Sequence, residues 1–266
     1  MIYYFLMEKF LVSLDSKTLN NILKAIMQVD NTAVAIISYN GLILEALDSA
    51  LVAAVKVYLP SHSFEYFNYK DEHEKLEFGF DVKPIYDTLK TFKGTVDIAL
   101  DDKTLSFKIN NFKFEFPVIE TQNDFPIEKI DKSVDFDNYV TVESKALNQI
   151  INILKQRKVK NDVYNQFTIS LNEKGIEILY VNTDRQEKLN FSFTEYESHL
   201  IAKNVRSAVS VRYNPEYIIK LLGRKEFEFT RIHIAPKEQI LKIVYPISFT
   251  HDPAEIAYYL ARQVQE

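Results

Sequence analysis

Two segments of this 266-residue chain carry the same helical pattern at an offset of 128 residues, as from Leu19 to Leu147. The helix predicted over residues 15–28, with Asp15 or Ser16 as its N-cap, has four apolar side chains on one face: Leu19, Ile22, Leu23 and Ile26. The helix predicted over residues 144–160 has the matching row: Leu147, Ile150, Ile151 and Leu154. This repeat favours a fold made of two similar halves.

A second pair of predicted helices supports the duplication. Residues 82–93 and 214–225 each place a proline near the first helical turn, where its missing N–H costs no hydrogen bond. Their apolar rows match at an offset of 132 residues: Ile85, Tyr86 and Leu89 in the first, and Tyr217, Ile218 and Leu221 in the second.

Most of the remaining sequence alternates with the period of two that is typical of β-strands. In the first half the predicted strands cover residues 33–38, 42–47, 53–59, 75–80, 95–100, 104–109 and 112–116. In the second half they have the sequences FTISL, IEILYV, KLNFSF, AVSVRY, FEFTRIHI and ILKIVYPI, and YYLARQVQE adds a closing strand. Short connections favour antiparallel pairing, because parallel strands need long crossovers. We therefore predict an α+β fold with two similar domains, each with two helices packed on antiparallel sheets.

One segment separates the two halves. Residues 117–132, PVIETQNDFPIEKIDK, contain two prolines and no clear period, which predicts an extended linker. The predicted domains are therefore residues 1–116, with residues 1–6 as an extension, and residues 133–266.

Composition narrows the setting of the protein. The chain has no cysteine, which rules out disulfides, thiolate metal sites and cysteine nucleophiles, and we expect an intracellular protein. No stretch approaches the roughly 18 apolar residues that span a bilayer, so no membrane partner is expected. The opening MIYYFLM lacks a basic leader and a small-residue cleavage site, so it does not resemble a signal peptide.

Positive charge is concentrated in the predicted helices. These four segments contain thirteen basic and three acidic side chains, a net charge of +10, and the rest of the chain carries −15 to reach the total of −5. Lysine, asparagine and glutamine on their polar faces are residue types that contact phosphates. The pattern indicates either a surface that lies against the phosphate backbone of a nucleic-acid duplex without binding it tightly, or helices that are basic for solubility alone.

The sequence resembles the sliding clamps of the proliferating cell nuclear antigen (PCNA) family, in the form found in archaea and eukaryotes. The resemblance covers nearly the whole chain from Met7. It depends on three motifs. GLILEALDSALVAAVKVYLP is similar to the family's segment with an Asp-Ser turn between two strands, here Asp48 and Ser49. YNPEYIIKLLG is similar to the family's final helix, and YYLARQVQE is similar to its closing strand. The order of these motifs, with two halves and a linker, makes the set specific.

The resemblance implies a ring of three subunits with helices lining the hole and sheets outside. Its nucleic-acid partner would be double-stranded DNA, which the ring encircles without sequence preference. Its protein partners would be a DNA polymerase, a clamp loader, a nuclease and a ligase, which bind through peptide motifs. No cofactor or metal is implied. The implied DNA-facing residues are Lys17, Asn20, Asn21, Lys24, Lys83, Lys90, Lys145, Gln149, Asn152, Lys155, Lys220 and Arg224.

The resemblance also implies a peptide-docking pocket beside the linker. Its wall residues correspond to Leu47, Leu51, Phe125, Ile127, Ile240, Tyr259 and Ala261, although each could instead be an ordinary core position. Tyr258 and Tyr259 alternate along the last strand, so one is expected to face the core and the other the pocket.

Subunits of the family join through edge strands, which here correspond to residues 111–116 and 186–193. We predict head-to-tail pairing in a trimer, with identical copies or with a sister subunit, since some archaeal clamps are heterotrimers. A location in the cytoplasm or nucleoid follows for an archaeal source, and a nuclear one for a eukaryotic source.

Several positions depart from the family pattern. Arg262 stands where the family usually has proline, which predicts a more open pocket edge or a preference for acidic partners. Asn20, Asn21, Gln149 and Asn152 occupy positions that are commonly basic in the family, so contact with the DNA backbone should be weaker.

An enzyme and an adaptor without a ring are the two alternative classes of function. An enzyme would need a catalytic constellation, but five glycines leave no phosphate-binding loop and no GxSxG or HExxH pattern is present. The five histidines lie far apart in sequence, and residues 101–102 indicate a hairpin turn rather than a metal site. We therefore predict a protein that is not an enzyme. The other alternative is an adaptor that has kept the clamp fold without forming a ring.

Overall fold

The computed structural model describes residues 10–69, 74–101, 103–121, 127–157, 164–247 and 253–263, so the predicted extension over residues 1–6 lies outside the described residues. The chain divides into two compact units. The first unit comprises Met1–Ser49, Val55–Phe125 and Ser248–Ile256, and the second comprises Ala50–Ala54, Pro126–Ile247 and Ala257–Glu266.

Among its described residues, the first half of the chain contains two α-helices, one short 3-10 helix (Ser61–Ser63) and nine strands. In chain order the α-helices and strands are β1 (Phe10–Asp15), α1 (Ser16–Ile26), β2 (Thr32–Ser38), β3 (Gly41–Leu47), β4 (Ala53–Pro60), β5 (Tyr66–Tyr69), β6 (Leu76–Asp81), α2 (Val82–Leu89), β7 (Thr95–Asp101), β8 (Thr104–Ile109) and β9 (Phe112–Pro117). One sheet has the strand order β5-β1-β7-β8-β9, and the strands β4-β3-β2-β6 are neighbours in another. The central pairs are antiparallel, with Val12 opposite Ile98 in β1 and β7.

The second half repeats this order of elements after one additional helix. In chain order it contains α3 (Ile127–Ser133), β10 (Tyr139–Glu143), α4 (Ser144–Gln156), β11 (Asn165–Asn172), β12 (Gly175–Asn182), β13 (Glu187–Thr194), β14 (Leu200–Asn204), β15 (Val209–Tyr213), α5 (Pro215–Leu221), β16 (Phe229–Ile234), β17 (Leu241–Pro246) and β18 (Glu255–Leu260). The strand orders β14-β10-β16-β17-β18 and β13-β12-β11-β15 match the two orders of the first half. The α+β prediction with two similar domains is therefore confirmed.

Two glycines at equivalent places show how closely the halves match. Gly41 begins β3 with φ +143°, and Gly175 begins β12 with φ +144°. A Cβ atom at Gly41 would lie 2.2 Å from the carbonyl oxygen of Leu59, and one at Gly175 would lie 2.1 Å from that of Phe193. Because no side chain fits at either place, both halves need glycine at the start of this strand.

The four predicted helices begin within one residue of the predicted starts and end two to four residues before the predicted ends. The Asp15 carboxylate accepts a hydrogen bond from the Thr18 N–H at 2.9 Å, and the Asn214 side chain accepts one from the Glu216 N–H at 2.9 Å. All eight residues of the two longer apolar rows are buried: Leu19, Ile22, Leu23, Ile26, Leu147, Ile150, Ile151 and Leu154.

In the shorter helices the buried positions differ from the predicted row by one residue. Tyr86 and Tyr217 are only half-buried, whereas the other predicted positions are buried: Ile85 with Leu89, and Ile218 with Leu221. The two tyrosines lie instead beneath lysine ammonium groups, with Lys90 Nζ 5.8 Å from the Tyr86 ring centroid and Lys220 Nζ 5.7 Å from that of Tyr217.

The prediction of an extended linker over residues 117–132 is corrected in part. Ile119 forms a backbone bridge with Gly79, and residues 127–133 form helix α3. A stretch this short contains too few turns for a helical period to be recognised. Strands β1, β5, β10 and β14 were also not predicted, because each has only four to six residues and little alternation. In the described ranges, no helix has both the length and the apolar character needed to cross a membrane.

Candidate DNA-facing helices and peptide-docking site

The polar face of α1 is basic and rich in amides. Opposite its buried row, Lys17 and Lys24 are exposed, and Asn20 and Asn21 are half-buried. The first turn contains no acidic residue, and Lys24 lies in the last turn, where a cation interacts favourably with the helix dipole. This face offers ammonium and amide donors and no carboxylate.

Helix α4 presents the same chemistry in the second unit. Its exposed side chains include Lys145, Gln149, Asn152 and Lys155, and no acidic residue lies in the helix. Ile153 is also exposed on this helix. Each unit therefore has one long helix whose free face carries lysine and amide groups.

Helix α2 has two predicted lysines whose charges are already paired. Lys83 Nζ lies 3.0 Å from one carboxylate oxygen of Asp87, and Lys90 Nζ lies 2.7 Å from the other. Hydrogen bonds from Lys90 and then Lys83 hold the pKa of Asp87 below its ordinary value. All three side chains are well exposed, so this pairing is weak and a phosphate could compete for either lysine.

Arg224 does not lie on the exposed face of α5. Its side chain is buried, its Nη2 and Nε atoms bond to the Glu226 carboxylate at 2.5 and 2.8 Å, and its Nη1 donates to the Tyr258 hydroxyl at 2.6 Å. Burial removes Arg224 from the DNA-facing candidates, because its charge is used inside the second unit. Lys220 on the same helix remains exposed.

The predicted docking pocket has its described wall residues mainly in the second unit. Leu51 is 72% exposed in the turn before β4 and has φ +58°. Ala261 is exposed just after β18, and its N–H donates to the carbonyl oxygen of Val52 at 2.9 Å. That bond brings the end of the last strand beside the turn that contains Leu51.

The other predicted wall residues have varied environments. Ile240 is half-buried immediately before β17, and Ile127 is fully buried at the start of α3. Leu47 is half-buried at the end of β3 in the first unit. Phe125 lies outside the described residues. At the pocket edge, Arg262 is exposed and its Nη1 donates to the Gln239 side-chain oxygen at 2.5 Å.

Tyr259 is only 3% exposed, because residues that were not predicted as part of the site cover it. Its hydroxyl donates to Asp131 Oδ1 on α3 at 2.6 Å, and its ring packs edge-to-face against Phe136 with centroids 6.1 Å apart. Lys242 Nζ lies 5.1 Å from the Tyr259 ring centroid. No sequence pattern predicted that Asp131, Phe136 and Lys242 belong to this site. The only indication was the spacing of four residues between Ile127 and Asp131, which is compatible with one face of a helix.

The predicted assembly edges end their sheets among the described residues. Strand β9 pairs with β8 and carries a row of aromatic side chains, Phe112, Phe114 and Phe116, alternating with the Lys113–Glu115 ion pair at 2.6 Å. Phe112 is 54% exposed and stacks with Phe114. Strand β13 pairs with β12 and carries a similar apolar row: Leu189, Phe191 and Phe193. Each edge therefore has one apolar and one polar face.

Comparisons with known proteins agree with this architecture. The chain is 23% identical over 259 residues to DNA polymerase sliding clamp 1 of Aeropyrum pernix, a match that covers 93% of this chain and 97% of that protein. The solved structure of the C-terminal region of FEN-1 bound to A. fulgidus PCNA matches with a TM-score of 0.76 at 20% identity, covering 97% of this chain and 99% of the matched chain. The PCNA2–PCNA3 complex from Sulfolobus tokodaii matches with a TM-score of 0.77 at 15% identity, covering 95% and 99%.

The duplicated strand–helix order and these structural matches show that the chain has the fold of the PCNA sliding clamps, so the predicted resemblance is confirmed in its fold. The family model described as repair protein Rad1/Rec1/Rad17 matches residues 10–259. The chain therefore belongs to the Rad1/Rec1/Rad17 family of repair proteins.

Proposed function

We propose that this chain is a subunit of a ring that encircles duplex DNA and tethers a polymerase and other replication or repair enzymes. It has no catalytic role of its own in this proposal. The observation that carries the proposal is that α1 and α4, at equivalent places in the two units, both expose lysine and amide side chains without carboxylates. A face of this kind suits a surface along which a phosphate backbone slides.

The DNA contact is weak and independent of sequence. Amides stand at Asn20, Asn21, Gln149 and Asn152, and Asp87 competes with phosphate for two lysines of α2. Each phosphate contact changes the slope of log affinity against log salt by about 0.9. Lasting retention on DNA therefore depends on a closed circle of protein around a closed circle of DNA.

The experiment replaces the four exposed lysines of the two long helices by alanine: Lys17, Lys24, Lys145 and Lys155. We expect weaker binding to linear duplex, a salt slope that is shallower by up to about 3 to 4, and poorer polymerase stimulation. The measurements are a salt titration by fluorescence anisotropy and retention of the loaded protein on nicked circular DNA.

The matched control removes four exposed lysines outside the helices: Lys103, Lys108, Lys174 and Lys237. It makes the same change in net charge and should leave both readouts near wild type. If the two quadruple variants lose DNA binding equally, the effect is one of overall charge and the helix faces have no special role.

Peptide docking in the second unit is the other part of the proposal. Leu51, Ile240 and Ala261 are accessible apolar groups near the end of β18, where a partner peptide with an apolar residue and two aromatics can bury them. Leu51→Ala should weaken such a peptide about tenfold without loss of thermal stability, because the side chain is already exposed in the free protein. Isothermal titration calorimetry measures the affinity, and Ile201→Ala on β14 is the control for an exposed apolar side chain elsewhere. If wild type and Leu51→Ala bind the peptide with equal affinity, the peptide does not contact Leu51 and binds at another site.

A second candidate is a subunit of a ring made from unlike chains. The family match and the similarity to a chain of a PCNA2–PCNA3 complex favour it. Light scattering of the protein alone distinguishes the candidates: a trimer mass supports identical copies, and a monomer that completes a ring only with a sister chain supports the mixed ring. A monomer that binds no sister chain would support the adaptor alternative.

A further inference from the structure

Helix α3 is held against the second unit through one carboxylate. Asp131 Oδ1 accepts a hydrogen bond from the Tyr259 hydroxyl at 2.6 Å and one from Lys242 Nζ at 2.8 Å. The Asp131 and Lys242 side chains are both largely buried, so their contact is screened by water less than a surface ion pair is. The Asp131 carboxylate of helix α3 thus contacts the Tyr259 hydroxyl and the Lys242 ammonium group, which belong to strands β18 and β17.

Aromatic side chains complete this contact. Lys242 Nζ lies 5.2 Å from the Phe136 ring centroid and 5.1 Å from that of Tyr259, so the ammonium group lies near two aromatic rings at once. The Phe136 carbonyl oxygen is bonded to His233 Nδ1 at 2.6 Å, which fixes the backbone that carries Phe136. Asp131 therefore contacts a surface formed by two aromatic side chains and one ammonium group.

Helix α3 does not have the length to be stable by itself. It has seven residues, whereas isolated helices below roughly 12 to 15 residues are marginal in water. One face contacts the protein through Ile127, Ile130 and Asp131, and the opposite face is exposed, where Lys132 and Glu128 form an ion pair at 2.6 Å. The position of α3 therefore depends on the contacts of its inner face.

We propose that α3 is a lid that occupies the peptide-docking site, with Asp131 in the place of an acidic residue of the partner peptide. The inference rests on the proposed docking function. Tyr259 is 3% exposed and cannot receive an aromatic side chain until α3 moves. When α3 lifts, Lys242 loses its carboxylate, and an aspartate or glutamate beside the aromatic pair of the peptide replaces it. Partners that carry this acidic residue are selected, because Lys242 would otherwise be left without a carboxylate partner.

The test uses two short synthetic peptides with an apolar residue and an aromatic pair, one with an aspartate beside the pair and one with asparagine in its place. Asp131→Asn keeps the shape of the side chain and removes its charge, so α3 should be displaced more easily. We expect this variant to bind both peptides about fivefold more tightly than wild type, measured by calorimetry. Hydrogen exchange of the α3 amides, measured without peptide, should be faster in the variant.

Two further variants separate the lid from general effects. Glu128→Gln makes the same charge change on the exposed face of α3 and should leave peptide affinity unchanged. Lys242→Met retains packing against the two rings, frees α3, and should abolish the preference for the aspartate peptide that wild type and Asp131→Asn show. A thermal melt of each variant confirms that it is folded.

The outcomes distinguish the lid from the docking function. If Asp131→Asn and wild type bind with the same affinity, and Leu51→Ala still weakens binding, the lid proposal is wrong and docking stands. If neither peptide binds any variant while the α3 amides exchange faster in Asp131→Asn, both the lid and the docking site are wrong, and encirclement of DNA is left to its own test. Equal binding of the two peptides by wild type would overturn the role of Asp131 as a substitute for a partner's acid.

Discussion

Tyr258 and Tyr259 are adjacent in β18 and have different environments. The Tyr258 ring is fully buried against Tyr245, its hydroxyl accepts a hydrogen bond from Arg224, and burial raises the pKa of Tyr258 to about 12. Tyr259 points to the opposite side of the strand and lies under Asp131 and Phe136. The period of two predicts that the residues face opposite sides, but it does not predict what covers each of them.

His233 gives a test at the residue scale that depends on pH. Burial, together with nearby Lys242 and Arg231, lowers the pKa of His233 from 6.5 to about 4. Between these values the unfolded chain binds more protons here than the folded protein, so the free energy of unfolding falls as the pH is lowered through this range. The melting temperature should therefore decrease from about pH 7 to about pH 5, and His233→Gln should reduce that decrease.

The measurement is a series of thermal melts across this pH range for wild type and His233→Gln, which can still donate to the Phe136 carbonyl oxygen. His62→Gln, which removes an exposed imidazole, is the control. Equal pH dependence in wild type and His233→Gln would show that His233 does not contribute to the loss of stability.

At the scale of elements, the segment that follows helix α5 packs on α4 through a glycine. Gly223 has φ +79°, and a Cβ atom there would lie 2.8 Å from Cγ1 of Ile151 and 2.9 Å from the Cα atom of Asn148. The contact includes backbone, which cannot rotate away. Helix α4 and the end of the α5 segment therefore approach each other as closely as they do because residue 223 has no side chain.

Gly223→Ala should lower the free energy of unfolding by roughly 2 to 4 kcal/mol, because it combines the strain of a positive φ with overpacking against α4. Gly94→Ala is the matched control, since Gly94 also has a positive φ of +118° and its nearest neighbour to an added Cβ is the Asn110 side chain at 3.9 Å. We expect a smaller cost there, roughly 1 to 2 kcal/mol, from backbone strain without overpacking. Urea titration measures both, and equal costs would mean that the close approach of the segment after α5 to α4 has no energetic consequence.

At the scale of the whole molecule, we expect assembly through β9 and β13, which end their sheets among the described residues. An exposed edge with alternating aromatic residues is prone to pair with another strand. The apolar row of β9 and the apolar row of β13 can form one continuous surface if the two edges join head to tail between subunits. Such pairing closes into a ring when the rotation that relates neighbouring subunits is a full turn divided by the number of subunits.

Phe112→Lys should weaken this assembly, because it places a charge in the exposed apolar row of β9. We expect the mass measured by light scattering, alone or with a sister chain, to shift toward monomer at micromolar concentration, with little change in melting temperature. Ile201→Lys on β14 is the control, since Ile201 is 48% exposed at the edge of a different sheet. An unchanged assembly in Phe112→Lys would exclude β9 as the contact strand.

Local patterns were sufficient to predict helices α1, α2, α4 and α5, most strands and the duplication, but not helix α3. The rows of Leu19 and Leu147 are buried because a helix with one apolar face must cover it, and this requirement is readable from spacing alone. The lysine faces of α1 and α4 follow from the same spacing, since residues opposite a buried row are exposed.

Only the tertiary structure decided which of these side chains are available. Arg224 is as basic in sequence as Lys220, yet the fold places it beside Glu226 and Tyr258, residues that are respectively near and distant in sequence. Asp131 reaches Tyr259 across 128 positions of the chain, and no period of 2 or 3.6 encodes such a contact. Periodicity reports which face of an element is covered, whereas the identity of the covering group depends on how distant segments pack.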